Sequence, residues 1–130
     1  MTAEITTAYG LPPPDQEYHS IICGAGPVGL LCANLLGKRG VPVLIIDKLE
    51  KPVGWSRAIG VCPPSLDILA DIQLDREFIE KGIHITTVGV HGGSGVSDLL
   101  GQVSFTEIKS AFPFMLAIPQ ITTEEILTRG

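Results

Sequence analysis

Apolar runs and glycines alternate near the start of the chain in a way that predicts a strand, a turn, a helix and a second strand. Residues 20–23 form a short apolar run, typical of a strand covered on both faces. Residues 30–36 carry apolar side chains at helical spacing, and Gly40 is a residue type that commonly follows a helix. Residues 43–46 are a second apolar run of strand type. The pattern therefore predicts a βαβ unit.

The rest of the chain predicts a different succession of elements. Within residues 48–82 a loop precedes two groups of apolar residues at helical spacing, which predict a pair of helices. Residues 83–105 contain two β-like runs around a Gly-Gly-Ser-Gly turn, typical of a hairpin. Residues 115–118 predict a strand, and Thr122 or Thr123 can cap the helix that follows. The fold class is α/β, a Rossmann-like βαβ unit with an inserted helical pair and β-hairpin.

Composition narrows the class of protein. The chain has 130 residues, 45% of them hydrophobic and 18% charged, which argues against wholesale disorder. Its net charge is −5, and its basic residues form no cluster beyond Lys38 and Arg39. Such a charge pattern disfavours nucleic acid and anionic membrane surfaces as partners.

Residues 1–17 are polar, contain a triple proline and lack the pattern of a signal peptide, so we expect a flexible leader there. Residues 20–37 are uncharged, but their four glycines and one proline disfavour a membrane span. Three cysteines, Cys23, Cys32 and Cys62, lie in apolar surroundings and predict buried free thiols. Free thiols fit a reducing compartment, so we expect a cytoplasmic location.

A glycine motif lies between the first predicted strand and the first helix. Gly24 permits a tight turn, Gly26 allows close approach of a pyrophosphate, and Gly29 lets the helix lie near the strands. The helix N-terminus would attract the phosphates, and Asp47, beside Lys48, can bind an adenosine ribose. This context predicts an ADP-binding unit and leaves NAD and FAD both open. The predicted cofactor loop comprises Gly24, Ala25, Gly26, Pro27, Val28 and Gly29.

Two further segments carry a resemblance to a known family. Together with the glycine motif, "SRAIGVCPPSLDIL" and "FMLAIPQITTEEIL" resemble the N-terminal FAD-binding part of class A flavoprotein monooxygenases, the aromatic hydroxylases, and most of all their phenol-hydroxylase-like branch. The resemblance implies that Arg57 lies along the pyrophosphate and ribityl chain of FAD, and that Gln120 contacts the ribityl or pyrophosphate part. A guanidinium suits this place because it can bind phosphate bidentately. Asp47 departs mildly from the family, in which Glu is commoner.

The resemblance also implies an activity: hydroxylation of a phenolic or other aromatic substrate with FAD, NAD(P)H and O2. We expect residues 18–130 to be the N-terminal portion of a truncated FAD-binding domain, with the small aromatic substrate bound only if the C-terminal part is present. A non-catalytic fragment that binds FAD weakly or with a partner chain, and an NAD(P)-binding Rossmann module, are the alternatives. No nucleophile–base pair predicts a catalytic residue, and the spacing of His84 and His91 predicts no metal site.

Overall fold

The computed structural model describes residues 15–49, 60–93 and 98–130. These residues form two compact units, one from residues 15–49 and 119–130 and the other from residues 60–93 and 98–118. In chain order the elements are β1 (Ser20–Cys23), α1 (Pro27–Lys38), β2 (Val43–Ile46), β3 (Gly60–Val61), α2 (Pro63–Asp71), α3 (Asp75–Lys81), β4 (Ile83–Ile85), β5 (Thr87–His91), β6 (Leu99–Ser104), β7 (Met115–Ala117) and α4 (Gln120–Arg129).

The first unit contains the predicted βαβ. Strands β1 and β2 are parallel, with Ser20 opposite Val43 and Cys23 opposite Ile46, so both strands end at the same level. Helix α1 contacts both strands and also α4. The Asn34 side chain on α1 donates a hydrogen bond to the Leu127 carbonyl of α4, at 2.7 Å. The core residues of this unit are Leu30, Ala33, Val43, Leu44, Ile45, Ile126 and Leu127.

The second unit contains the predicted helical pair, α2 and α3, which contact each other. It also contains a three-stranded antiparallel sheet in the order β3–β7–β4. The central strand is β7, where Leu116 lies opposite Val61 on one side and His84 on the other. The His84 ring stacks on Phe114, with 3.9 Å between ring centroids. Fully or nearly fully buried side chains form the core: Leu66, Leu69, Phe78, Leu116 and Ile118.

The predicted hairpin is confirmed as β5 and β6, which pair antiparallel with Thr87 opposite Ser104. Part of its Gly-Gly-Ser-Gly turn falls on residues 94–97, outside the described residues. The first β-like run divides at Thr86 into β4 and β5, which belong to different sheets. Strand β3 was not predicted, because its two residues give no periodic signal.

Two predictions about burial are wrong. Strand β1 is not covered on both faces, because side chains alternate along a strand and Ile21 is 62% exposed. The three cysteines are free, as predicted, but all are exposed rather than buried. Their places in the elements explain this difference: Cys23 shares the exposed face of β1 with Ile21, and Cys62 is the N-cap of α2.

The predicted cap of the last helix is also wrong. Helix α4 begins at Gln120, with Pro119 at the N-cap. The ring of Pro119 fixes its φ (−59°), and its ψ of 140° is extended rather than helical, so the helix begins directly after it. The Thr123 amide already donates to the Pro119 carbonyl at 3.1 Å, which places Thr123 in the first turn. Of the helices in the described ranges, none is long and apolar enough to cross a membrane.

Candidate functional site

The glycine loop between β1 and α1 has the tight turn that the sequence predicts. Gly24 has a φ of +111°, a conformation that side-chain-bearing residues rarely adopt. Its amide donates a hydrogen bond to the Ile46 carbonyl at 2.7 Å, which ties the start of the loop to the end of β2. The loop therefore leaves β1 in a fixed direction.

Gly29 lies where α1 passes closest to β1. A Cβ atom at Gly29 would overlap the Gly24 carbonyl oxygen and lie 3.3 Å from the Ile22 side chain. A Cβ atom at Gly26 would instead meet nothing within 4 Å. The predicted packing role of Gly29 therefore matches its surroundings, and Gly26 offers an open backbone surface to a ligand.

The N-terminus of α1 has no competing polar side chain of its own. Gly26 is the N-cap and forms no side-chain cap, Pro27 begins the helix, and the first turn contains no acidic residue. The first amides of a helix lack intrahelical acceptors and carry partial positive charge. This end of α1 can therefore bind an anion such as a pyrophosphate. Val28 is 83% exposed there.

Asp47 directly follows β2, beside the glycine loop. One of its carboxylate oxygens, Oδ2, accepts a hydrogen bond from the Ala25 amide at 2.6 Å, and Oδ1 accepts one from the Leu49 amide at 2.8 Å. The bond from Ala25, followed by that from Leu49, lowers the pKa of Asp47 below its ordinary value. Each carboxylate oxygen has a second lone pair. Asp47 can therefore hold the loop and still accept from a ribose hydroxyl.

The remaining predicted site residues are Lys48, Arg57 and Gln120. Lys48 is exposed next to Asp47, and its positive charge contributes to the lowered pKa of that carboxyl. Arg57 lies outside the described residues. Gln120 is the first residue of α4, on the helix that packs against α1. The structure thus brings Asp47 to the glycine loop and puts Gln120 in the same unit.

A side chain that the sequence prediction passed over contacts Gln120. That side chain is Glu124, which is only 6% exposed. The Gln120 Nε2 donates a hydrogen bond to Glu124 Oε1 at 2.8 Å. The sequence predicts Glu124 and Glu125 as charges in the first turn of the last helix, but α4 begins at Gln120 and its first turn contains no acidic residue. The i, i+4 spacing of Gln120 and Glu124 was the available signal, because residues four apart lie on one face of a helix.

The comparison with known families decides the cofactor. A family model described as "FAD binding domain" matches residues 17–130. The chain belongs to this family. The predicted cofactor, FAD, and the resemblance to the FAD-binding part of flavin monooxygenases are thereby confirmed.

Two relatives of this FAD-binding chain are named as monooxygenases. It is 33% identical over 112 residues to an uncharacterized aromatic compound monooxygenase of Bacillus subtilis, covering 86% of this chain and 21% of the relative. It is 33% identical over 117 residues to 6-methylpretetramide 4-monooxygenase of Streptomyces rimosus, covering 90% of this chain and 21% of the relative. The chain thus spans about a fifth of the length of these relatives.

Solved structures support the fold. The crystal structure of p-nitrophenol 4-monooxygenase from Pseudomonas putida matches with a TM-score of 0.78 at 24% identity, covering 86% of this chain and 28% of that one. The anhydrotetracycline hydroxylase of Streptomyces rimosus matches with a TM-score of 0.72 at 31% identity, covering 86% of this chain and 22% of that one. The α/β fold class and its correspondence to part of a larger domain are therefore confirmed.

The described residues fit FAD. The open surface at Gly26 and the N-terminus of α1 suit the pyrophosphate, and the carboxylate of Asp47 suits ribose hydroxyls. The Ala25–Asp47 hydrogen bond was not predicted, although its origin is simple. Parallel strands β1 and β2 end together, so the residues that follow them are neighbours.

Proposed function

We propose that this chain is the FAD-binding portion of a flavin monooxygenase that uses NAD(P)H and O2 to hydroxylate a phenolic or other aromatic substrate. The observation that carries the proposal is the glycine loop of an FAD-binding family member, held by the Ala25–Asp47 hydrogen bond to the residue that follows β2. The printed names of its relatives, which include an aromatic compound monooxygenase, support the reaction class. When bound, FAD supplies the redox chemistry, and the protein supplies binding and orientation.

The proposed roles follow the chemistry of each group. The loop from Gly24 to Gly29 and the α1 N-terminus would bind the pyrophosphate, while Asp47 would bind the adenosine ribose, with Lys48 beside it. Arg57 would add a full positive charge to the pyrophosphate, which the partial charge of a helix terminus cannot match. Gln120 would contact the ribityl or pyrophosphate part. We assign residues 18–130 to the N-terminal portion of the FAD-binding domain, and we place the protein in the cytoplasm.

The test is retention of FAD by the 130-residue chain. FAD is added in excess, unbound cofactor is removed by desalting, and the visible flavin spectrum is recorded for the wild type, Arg57→Ala and Arg76→Ala. Arg76 is an exposed arginine on α3 in the other unit and serves as the matched control. We expect a retained flavin band that weakens about tenfold or more in Arg57→Ala, from the loss of charge-assisted hydrogen bonds, but not in Arg76→Ala.

Two results would contradict the proposal. Equal retention by the two arginine variants would remove the role given to Arg57. Binding of NAD without any binding of FAD would favour a nicotinamide-nucleotide module instead, against the family match.

A further inference from the structure

Glu124 is a buried carboxylate to which the proposed cofactor contacts give no role. It lies on α4 beside the buried residues Thr123, Ile126 and Leu127, with 6% of its surface exposed. Burial of a carboxylate is costly unless hydrogen bonds compensate it. In the described residues the hydrogen bond to this carboxylate comes from Gln120 Nε2, at 2.8 Å. The neighbouring Glu125 is exposed, so a helix-terminus charge alone does not require the burial of Glu124.

The contact fixes which way the Gln120 amide points. An ionised carboxylate only accepts hydrogen bonds, so the NH₂ group of a neighbouring amide must face it. The carbonyl oxygen of Gln120 is then directed away from Glu124. This oxygen has two lone pairs, so it can accept from a hydroxyl in addition to any other donor.

We infer that Glu124 is a positioning residue that holds the Gln120 amide so that its carbonyl oxygen accepts a hydrogen bond from a hydroxyl of the ribityl chain of FAD. The inference rests on the proposed function and deepens it, because it separates the two contacts considered for Gln120. A ribityl chain offers hydroxyl donors to a carbonyl oxygen. A pyrophosphate offers only acceptors, and the adjacent negative charge of Glu124 would repel it.

The experiment compares FAD with ADP, which contains the adenosine and pyrophosphate but no ribityl chain. Dissociation constants of the 130-residue chain for both are measured by calorimetry for the wild type, Glu124→Gln and the matched control Glu125→Gln. We expect Glu124→Gln to weaken FAD binding about three- to tenfold, the effect of one hydrogen bond, and to leave ADP binding unchanged. Glu125→Gln should change neither constant.

A double-substitution series separates positioning from general support of the fold. Gln120→Ala should give the same loss of FAD affinity with unchanged ADP affinity, and Glu124→Gln should add nothing in the Gln120→Ala background. A Glu124 that acts on FAD binding independently of Gln120 would instead weaken FAD binding further in the Gln120→Ala background. The side-chain amide resonances of Gln120, recorded by NMR without ligand, should shift in Glu124→Gln and stay in place in Glu125→Gln.

Each contrary result would overturn a different claim. Equal losses of FAD and ADP affinity in Glu124→Gln would overturn the ribityl assignment, and unchanged FAD affinity would overturn the positioning role. A wild-type chain that binds neither ligand would instead contradict the proposed function on which the inference rests.

Discussion

At the scale of single residues, Asp47 links the end of one strand to the loop that follows the other. Its two hydrogen bonds come from backbone amides at Ala25 and Leu49. These bonds favour the charged carboxylate, which is why the pKa of Asp47 is lowered. The same side chain therefore shapes the loop before a ligand arrives and remains able to bind a ribose.

The lowered pKa of Asp47 gives a pH prediction. Because the folded protein favours the ionised form, Asp47 stabilises the fold above its ordinary pKa of 3.8, and this contribution is lost as the pH falls through the lower folded value. We expect Asp47→Asn to destabilise the chain at pH 7 and to matter less at pH 3. Denaturant unfolding at both pH values checks this expectation. Asp98→Asn, at an exposed hairpin position, serves as the control. Equal losses of stability from Asp47→Asn at both pH values would contradict the predicted pH dependence.

Residue-level predictions succeeded where backbone geometry alone set the requirement. Gly24 and Gly29 were predicted from the motif because a positive φ and a close helix–strand approach require glycine. The burial of Glu124 and the exposure of Cys23 were not predicted. Both depend on which face of an element is covered, and that is decided by neighbours distant in sequence.

At the scale of elements, the approach of α1 to β1 depends on the missing side chain at Gly29. We expect Gly29→Ala to lower the free energy of unfolding by roughly 1–3 kcal/mol, because the added methyl group would overlap the Gly24 carbonyl. Gly37 lies in the same helix, and a Cβ atom there would meet nothing within 4 Å. Gly37→Ala should therefore leave stability unchanged or raise it by about 0.5–1 kcal/mol. Denaturant midpoints measure both. A Gly29→Ala chain as stable as the wild type would show that α1 can shift.

The pairing of α1 with α4 gives a second prediction at this scale. Asn34→Ala removes the hydrogen bond to the Leu127 carbonyl and a second one to the Leu30 carbonyl within α1, and should cost about 1–2 kcal/mol of unfolding free energy. Thr128→Ala is the control, since that hydroxyl bonds the Glu124 carbonyl within its own helix. Thermal unfolding of Asn34→Ala and Thr128→Ala measures how much stability each variant loses. A larger loss in Thr128→Ala would place the main contribution within α4 rather than between the helices.

Element bounds followed from the sequence where an apolar run ended at a glycine or a charged residue. Strand β1 and strand β2 begin and end at the predicted residues, and α1 ends before Gly40 as expected. The start of α4 was placed too late, because Thr and Glu gave a familiar capping pattern and Pro119 determined the actual start. Strand β3 is too short for any pattern, and its pairing with β7 joins segments more than fifty residues apart.

At the scale of the whole molecule, the chain spans about a fifth of its relatives and exposes apolar side chains on β1. Among the described residues, β1 pairs only with β2. Ile21 is on the exposed face of that strand. Exposed apolar groups beside an unpaired strand edge promote association.

We therefore expect Ile21→Thr, which keeps a β-branched side chain, to reduce self-association of the chain. The thermal midpoint should stay nearly unchanged, because Ile21 contributes little buried surface. Light scattering against concentration measures the association. Val103→Thr, on the exposed hairpin strand β6, tests whether the effect belongs to β1. The same reduction in both variants would show that association is not specific to this strand.

The hydrogen bond between Asn34 and Leu127 joins residues 93 positions apart. During synthesis, β1, α1 and β2 leave the ribosome long before α4, and residues 59–118 come between them. The face of α1 that packs against α4 must therefore wait for that helix, while the second unit, which is continuous in sequence, can fold without delay. Such distant contacts also slow folding, because the intervening loop must close first. Formation of the glycine loop would thus be an early local event, and the packing of α4 against α1 a late one.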